Sequence, residues 1–196
     1  SGMIKRLPSY VRLPEKNGRI RFFTLEEESR FFEAMRERSE DHYRLCLFLI
    51  DTGARVGEAL GLKWGDVTRD RATFWITKSG RSRTIPMTAR ASDSVFSQMR
   101  PVGPFAGIEY PRFLYDWNAV KKKVGLGNDK QIVPHILRHT CASRLVQAGI
   151  DLRRVQSFLG HQTIQMTLRY AHLATNDLDQ CVIALETFGA PKESED

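Results

Sequence analysis

The sequence predicts a mainly α-helical domain that carries one small antiparallel β-sheet, an α+β fold. Apolar residues recur at helical spacing along most of the chain, whereas between residues 73 and 86 they alternate as in strands around a turn at Ser79-Gly80. The 196 residues are 41% hydrophobic and 27% charged, which is enough to bury one sizeable core. There is no apolar run of about 18 residues and no secretion signal, so we expect neither a membrane protein nor a secreted one.

The first three elements are predicted as helices. Thr24 followed by Glu27 forms a capping box that opens the first, and apolar residues from Leu25 onward recur at helical spacing. The second contains residues 43–50 and ends near Gly53, and a short third covers residues 56–62.

The middle and end of the chain are predicted as one hairpin followed by further helices. Thr73, Trp75 and Thr77 alternate with apolar residues, and residues 83–86 form the returning strand. The helical segments after the hairpin are 88–99, 111–124, 135–148, 151–159, 163–170 and 174–187.

The chain divides into an arm, one folded domain and a tail. Residues 1–20 have no sustained period and form a predicted linker, in which Ser1-Gly2 before Met3 resembles an expression scar. Residues 21–188 are the folded domain, and residues 189–196 are a flexible acidic tail. Residues 176–188 are amphipathic and pack either into a neighbouring protomer or onto their own domain.

The net charge favours a polyanionic partner. Thirty Lys and Arg against 23 Asp and Glu give +7, and phosphate neutralisation by basic residues releases counterions from nucleic acid. The three cysteines are odd in number and widely spaced, which indicates reduced core residues of a cytoplasmic protein.

Several residue types in the chain suit chemistry on a DNA phosphodiester. Its transition state spreads negative charge over non-bridging oxygens, which arginine binds in a bidentate way. The reaction also needs a nucleophile and a proton donor for the leaving oxygen, and histidines move protons near neutral pH.

These residue types occur in four motifs. Thr52-Gly53-Ala54-Arg55-Val56-Gly57-Glu58 places an arginine at a helix start. Pro134-His135-Ile136-Leu137-Arg138-His139-Thr140 places His135 and Arg138 on one helix face. Leu159-Gly160-His161 and Leu168-Arg169-Tyr170-Ala171-His172 follow, and Tyr170 lies nine positions after His161.

In this order and at these intervals, the motifs resemble those of the tyrosine recombinase family, the integrases of phages and other mobile elements. The resemblance covers most of the chain, from about Leu25 to His172. It implies a catalytic domain over residues 21–188 that cleaves and rejoins DNA through a phosphotyrosine bond. It also implies double-stranded DNA as partner, several protomers in a synapse, with a tetramer as the family pattern, and no metal or ATP.

The resemblance assigns roles to seven residues. Arg55 and Arg138 would clamp the scissile phosphate, while His135 and His161 would hydrogen-bond it and assist proton transfer. Tyr170 would be the nucleophile, and Glu58 would support the site without doing chemistry. Lys78, in the turn of the small sheet, would protonate the 5′-oxygen leaving group; Arg81 and Arg83 are rivals, but guanidinium is a poor acid at neutral pH.

Other basic residues are candidates for DNA contacts. We expect Arg81, Arg83, Lys121 and Lys122 to contact the DNA backbone, although lysine runs are commonly just a solvated face. His135 and His139 have the spacing of two zinc ligands, but Ile136 stands where a metalloprotease has Glu. We therefore expect no metal site, and we interpret His139 as a structural hydrogen-bonding residue.

Two other functions stay open at this point. A type IB topoisomerase uses the same chemistry, and the small size and short interval from His161 to Tyr170 favour the recombinase. A DNA-binding module with a dead site is the other, and the complete residue set argues against it. A tyrosine-dependent covalent adduct with nicked duplex DNA separates both enzymes from the binding module.

Overall fold

The computed structural model describes residues 20–76, 81–174 and 178–189. This part is mostly helical with a two-stranded antiparallel sheet, which confirms the predicted fold class. Its regular elements are α1 (Leu25–Arg38), α2 (Glu40–Thr52), α3 (Val56–Leu60), β1 (Arg71–Ile76), β2 (Arg81–Pro86), α4 (Ala89–Phe96), α5 (Tyr110–Lys123), α6 (Ile136–Gln147), α7 (Leu152–Leu159), α8 (Gln165–Leu168) and α9 (Asp179–Gly189), with 3₁₀ turns at Trp64–Asp66 and Ala171–Leu173.

Side-chain caps determine where several helices begin. The predicted capping box is confirmed: the Thr24 hydroxyl accepts from the Glu27 amide at 3.2 Å, and the Glu27 carboxylate accepts from the Thr24 amide at 3.0 Å. The Asp151 carboxylate caps α7 by accepting from two backbone amides. These contacts satisfy N–H groups that have no partner within the helix.

Two predicted elements differ from the structure. The segment predicted as one helix over residues 163–170 contains only the four-residue α8, and Tyr170 lies between it and a 3₁₀ turn. The helix predicted to reach Met99 ends at Phe96. The predicted turn at Ser79-Gly80 lies outside the described residues.

The main core is built from aromatic side chains of α1, α2 and α5. Phe31 and Trp117 have ring centroids 4.4 Å apart, and both are buried. Helix α2 packs against α1, α4 and α6, so it is the central helix of the domain. The prediction that all three cysteines lie in the core is wrong for Cys181, which is exposed.

A smaller apolar cluster lies beside the main core. It is formed by buried residues of α6 and α7 together with Tyr170, whose side chain is only 1% exposed. The residue that the motifs single out as a nucleophile is therefore part of a packed cluster.

Gly53 is the second residue of the first motif and connects α2 to Arg55. It ends α2 in the left-handed conformation, with φ of 61°. A β-carbon at this position would lie 2.4 Å from Leu159 Cδ2, so a larger residue would force the Leu159 side chain to move. The glycine therefore permits both the turn into α3 and the close approach of α7.

The sheet is a hairpin in which Phe74 of β1 is opposite Arg83 of β2. Phe74 is buried and packs on Phe48 of α2, with ring centroids 6.1 Å apart. This contact fixes the sheet against the helical core. In the described part of the chain no helix is long and apolar enough to span a bilayer.

Candidate active site

Arg138 joins three segments of the chain. It lies in the first turn of α6, is 2% exposed, and donates from Nη1 to the Gly53 carbonyl at 2.5 Å and from Nη2 to the Leu159 carbonyl at 2.8 Å. Those carbonyls end α2 and α7, so one guanidinium draws together the loops that carry Arg55 and His161. Burial, with repulsion from Arg55 and Arg83, lowers the pKa of Arg138 to about 10, and the group stays cationic at neutral pH.

Arg55 and Glu58 form the second part of the site. Arg55 precedes α3, and its Nη1 donates to Glu58 Oε1 at 2.9 Å while its backbone amide donates to Oε2 at 2.8 Å. Burial of Glu58 opposes ionisation, but hydrogen bonds from Arg83 and from the Arg55 amide lower its pKa to about 2. Glu58 is thus an anion at all physiological pH values, and the Arg55 side chain is 40% exposed beside it.

An open cleft of about 410 Å³ lies between the first and second motifs. Arg55 and Val56 line one side, while Pro134 and His135 line another, and Tyr110 of α5 lies at its edge. Two motifs that are 80 positions apart in sequence, at Arg55 and His135, therefore share one surface depression. The half-buried Arg55 and the exposed His135 both reach solvent there.

Both predicted site histidines are neutral at pH 7. His161 is 9% exposed and its Nδ1 hydrogen-bonds the Thr167 hydroxyl at 2.8 Å, which orients the ring. Burial, followed by repulsion from Arg138 and Arg55, lowers the pKa of His161 to about 4. The same causes lower the pKa of His135. Neutral imidazoles can donate and accept hydrogen bonds, as proton transfer requires.

Tyr170 contacts His139, a residue that the motif analysis left outside the site. The Tyr170 hydroxyl lies 2.7 Å from His139 Nδ1, and the His139 ring meets that of His135 edge-on at 4.7 Å. Burial and the charges of neighbouring residues lower the pKa of His139 to about 4, so its ring is neutral at pH 7. Burial raises the pKa of Tyr170, so the phenol is protonated. The expectation that His139 is a hydrogen-bonding residue is confirmed, and its partner is Tyr170.

This hydrogen bond is expected to contribute measurably to folding. In a double-mutant cycle with His139→Leu and Tyr170→Phe, the two changes should be coupled by about 1 kcal/mol in the free energy of unfolding, because each alone leaves a buried polar atom unpaired. Urea unfolding of the wild type, both single variants and the double variant measures the coupling. Additive losses would mean that the contact is not formed in solution.

The depressed histidine pKa values also predict how stability depends on pH. His139 and His161 have folded-state pKa values of about 4, below the 6.5 of an unfolded histidine. The unfolded chain therefore binds protons first as the pH falls, so stability is full above about 6.5 and declines toward 4.

Between pH 7 and pH 5 we expect His139 and His161 together to lower the free energy of unfolding by on the order of 2 kcal/mol, after allowing for solvent screening. His42 and His135, whose pKa values are also lowered, add to it in the same direction. Thermal unfolding at both pH values measures the decline, and His161→Gln should make it smaller. An equal decline in that variant would contradict the assignment to His161.

Two of the residues predicted to contact DNA are buried in the structure. Arg83 is not a solvent-facing residue: its side chain is 8% exposed and both terminal nitrogens bond the Glu58 carboxylate. Lys121 is buried on the inner side of α5, so the prediction of a solvated face is wrong there, whereas Lys122 is exposed. Lys78 and the Arg81 side chain lie outside the described residues.

Arg169 is a charged neighbour that the motif analysis passed over. It is exposed next to Tyr170, and its charge opposes the rise that burial causes in the pKa of Tyr170. For His139 and His161 the charge of Arg169 adds to burial in lowering the pKa. Its position directly before the tyrosine in the sequence could have indicated a charged residue beside the nucleophile. Across the described residues there is no group of three or more His, Cys, Asp or Glu side chains placed to hold a metal ion.

Comparison with known proteins gives consistent matches. The model of the phage integrase family matches residues 21–102 and 108–177. The integrase of Escherichia phage P2 is 30% identical over 171 residues, which are 87% of this chain and 48% of that protein. The tyrosine recombinase XerD of Corynebacterium glutamicum is 34% identical over 148 residues, 68% of this chain and 49% of that protein. The chain thus spans about half the length of these curated relatives.

Solved structures match the fold over nearly the same region. The catalytic domain of bacteriophage HP1 integrase superposes with a TM-score of 0.73 at 28% identity, covering 88% of this chain and 98% of that one. The XerH site-specific recombinase bound to palindromic difH substrate, a post-cleavage complex, gives 0.63 at 22% identity and covers 87% of this chain and 54% of that one. The second likeness concerns the fold alone.

Proposed function

The chain belongs to the phage integrase family of tyrosine recombinases, and from that premise we propose that it is the catalytic domain of a site-specific DNA recombinase or integrase. It cleaves and rejoins double-stranded DNA through a 3′-phosphotyrosine bond, in the integration or recombination of a phage, prophage or other mobile element. The observation that carries this proposal is the pair of hydrogen bonds from the Arg138 guanidinium, which hold the loops of Arg55 and His161 next to each other.

In the proposed reaction, Arg55 and Arg138 bind the non-bridging oxygens of the scissile phosphate. Their charges stabilise the extra negative charge of the transition state, where such interactions contribute most to rate. His135 and His161, neutral at pH 7, hydrogen-bond the phosphate and assist proton transfer. Glu58 holds Arg55 and takes no part in bond making.

The covalent step exchanges one phosphate ester for another. The Tyr170 oxygen forms a bond to phosphorus as the bond to the 5′ oxygen breaks, the phenolic proton passes to a neighbouring base, and the 5′ oxygen receives a proton from Lys78. The reverse attack by a 5′ hydroxyl reseals the strand. Bond energy is conserved in the phosphotyrosine, so the scheme requires no ATP. The arginines, the lysine and the histidines supply the cationic and hydrogen-bonding groups that a metal supplies in other phosphoryl-transfer sites, so the scheme requires no metal.

The buried state of Tyr170 implies a movement before attack. Its hydroxyl bonds His139 and its ring is packed among residues of α6 and α7. A phosphate in the solvent-facing cleft cannot meet a phenol in that position, so the segment around α8 has to shift when DNA binds. We propose this shift as the step that brings the nucleophile to the phosphate.

The partners we propose are duplex DNA at attachment-type sites and further protomers in a tetrameric synapse. Lys122 and Arg81 are proposed backbone contacts. The proposed contact with a neighbouring protomer is helix α9 together with Leu178 just before it, since the described apolar side chains there are largely exposed: Leu178, Val182, Ile183 and Leu185. We also propose that residues 21–188 are the catalytic domain. Apart from Ile20 and Gly189, the linker predicted over residues 1–20 and the tail predicted over residues 189–196 lie outside the described residues.

A covalent selection tests the function without knowledge of the target sequence. The protein is incubated with nicked duplexes of randomised sequence, so that the short cleaved fragment diffuses away and the adduct is trapped. After denaturation, protein-linked DNA is recovered and sequenced, and the modified peptide is identified by mass spectrometry. We expect an enriched sequence linked to the peptide that contains Tyr170. A DNA-binding module would enrich DNA by binding but would leave no adduct.

A plasmid relaxation assay, used together with the enriched sequence, distinguishes a topoisomerase from a recombinase. A nicking and closing enzyme relaxes supercoiled plasmids that lack the enriched sequence, whereas a site-specific recombinase links only to duplexes that contain it. We expect the second result, because the chain resembles integrases and Xer recombinases over most of its length.

A further inference from the structure

Arg83 is a buried arginine in a strand that the catalytic scheme does not use. It lies on the inner face of β2, the same face as Ile85, and its guanidinium carbon is 4.5 Å from the Phe74 ring centre. Its side chain is 8% exposed. Burying a guanidinium is costly unless its charge is paired, so the partners of its terminal nitrogens indicate its role.

Those partners connect it to Arg55. Arg83 binds the Glu58 carboxylate in a bidentate way, from Nη1 to Oε1 at 2.9 Å and from Nη2 to Oε2 at 2.8 Å. Each of these oxygens also accepts one hydrogen bond from Arg55, Oε1 from its side chain and Oε2 from its backbone amide. Glu58 is therefore shared evenly between the two arginines.

This sharing changes the charge presented to a phosphate. With Arg55 alone, Glu58 would form a neutral pair, and a phosphate would have to compete with the carboxylate for the guanidinium. With Arg83 as second partner, the cluster of three side chains carries a net charge of +1. Arg83 thus leaves the exposed side of Arg55 available to an anion while Glu58 still holds its position.

Arg83 also touches the loop that carries His161. Gly160 ends α7 with φ of 68°, and a β-carbon there would lie 2.7 Å from Arg83 Cδ. The preceding residue, Leu159, gives its carbonyl to Arg138, and the following residue is His161. The Arg83 stem therefore packs directly on the backbone between two groups of the site.

We propose that Arg83 is a positioning residue for phosphate cleavage, which holds Arg55 through Glu58 and the His161 loop through Gly160. The proposal rests on the proposed function. In this arrangement β2 positions the phosphate-binding groups from its buried face, and Arg83 itself does not contact DNA. Both of its terminal nitrogens donate to the Glu58 carboxylate, so the charge of Arg83 is already paired, whereas Arg138 donates to neutral carbonyls and keeps its charge for the phosphate.

The test compares Arg83→Met with Arg44→Met, using the duplex recovered by covalent selection. Arg44 is a matched control because it is equally buried, at 4% side-chain exposure, and binds backbone carbonyls of α4 far along the chain from the motifs. We expect Arg83→Met to slow single-turnover adduct formation by about 100-fold, as small misplacements of catalytic groups do, with DNA affinity within about threefold of wild type. Arg44→Met should change the rate by less than about threefold at temperatures where it is folded.

A second substitution separates positioning from support of the fold. In the double variant Arg83→Met/Glu58→Gln, no unpaired carboxylate competes for Arg55, so we expect the rate to recover at least about tenfold over Arg83→Met. No recovery would mean that Arg83 acts only through the fold, and equal losses of binding and rate would make it a DNA contact; either result overturns the proposal. If the Met variant does not fold, Arg83→Lys, compared with Arg44→Lys, should show a smaller loss of about tenfold that Glu58→Gln again reduces. A wild-type protein without any adduct would refute the proposed function itself, which the wild-type lane reports independently of the variants.

Discussion

Replacing Tyr170 with phenylalanine is expected to abolish the covalent protein–DNA adduct, by at least about 10⁴-fold, because no other group in the site can form the phosphoester. The change removes one oxygen and keeps the ring. Since the ring fills the cluster between α6 and α7, the fold should persist with a loss of about 1 kcal/mol from the missing hydrogen bond to His139. DNA affinity should be unchanged, because the hydroxyl is buried in the free protein.

The measurement is denaturing electrophoresis of the protein with labelled nicked duplex, alongside a binding assay on intact duplex. Tyr115→Phe is the matched control: Tyr115 is 62% exposed on α5, and its variant should form as much adduct as the wild type. An adduct that persists in Tyr170→Phe would place the nucleophile elsewhere. Loss of adduct together with loss of DNA affinity would point to misfolding instead of missing chemistry.

Replacing Arg138 with alanine is expected to reduce adduct formation by about 10³-fold, far more than it weakens DNA binding. The guanidinium stabilises charge that develops only in the transition state, so its contribution to ground-state affinity is small. The structure adds a cost in stability, because the Gly53 and Leu159 carbonyls both lose a buried donor. We expect a loss of about 2–4 kcal/mol in the free energy of unfolding.

Stability and chemistry are separated by working well below the melting temperature of the variant. Arg144→Ala is a suitable control, because Arg144 lies on the same helix and forms an ion pair with Glu28 instead of binding the site loops. Its loss should lower stability without slowing single-turnover cleavage. If Arg138→Ala lost binding and cleavage equally, the residue would be only a backbone contact.

Local features of the sequence were sufficient to predict most of the helices. Thr24 and Glu27 satisfy amides within one turn, and an aspartate before α7 does the same, so the signal and the contact lie within a few residues. The exceptions are short segments. Residues 163–170 have helical periodicity, but only four of them form α8, because tertiary contacts of Tyr170 and His161 decide where that segment turns.

The burial of Arg83 could have been predicted from the alternation of residues along β2. Alternation along β2 puts it on the same face as Ile85, which is the core face. A charged residue at an inward position requires a buried partner, and an acidic residue in the first motif was the candidate. The sequence therefore predicts that the Arg83 side chain points into the core, but it does not identify Glu58 as its partner.

The sequence by itself determined the family, the helical plan and the set of groups available for phosphate chemistry, because these depend on spacing and residue type along the chain. Only the tertiary structure decided that Arg138 binds carbonyls 85 and 21 positions away, that Tyr170 is buried against His139, and that Lys121 faces inward. Such contacts arise from how helices pack across the core. Their geometry depends on the shapes of many side chains at once, so no local pattern encodes it.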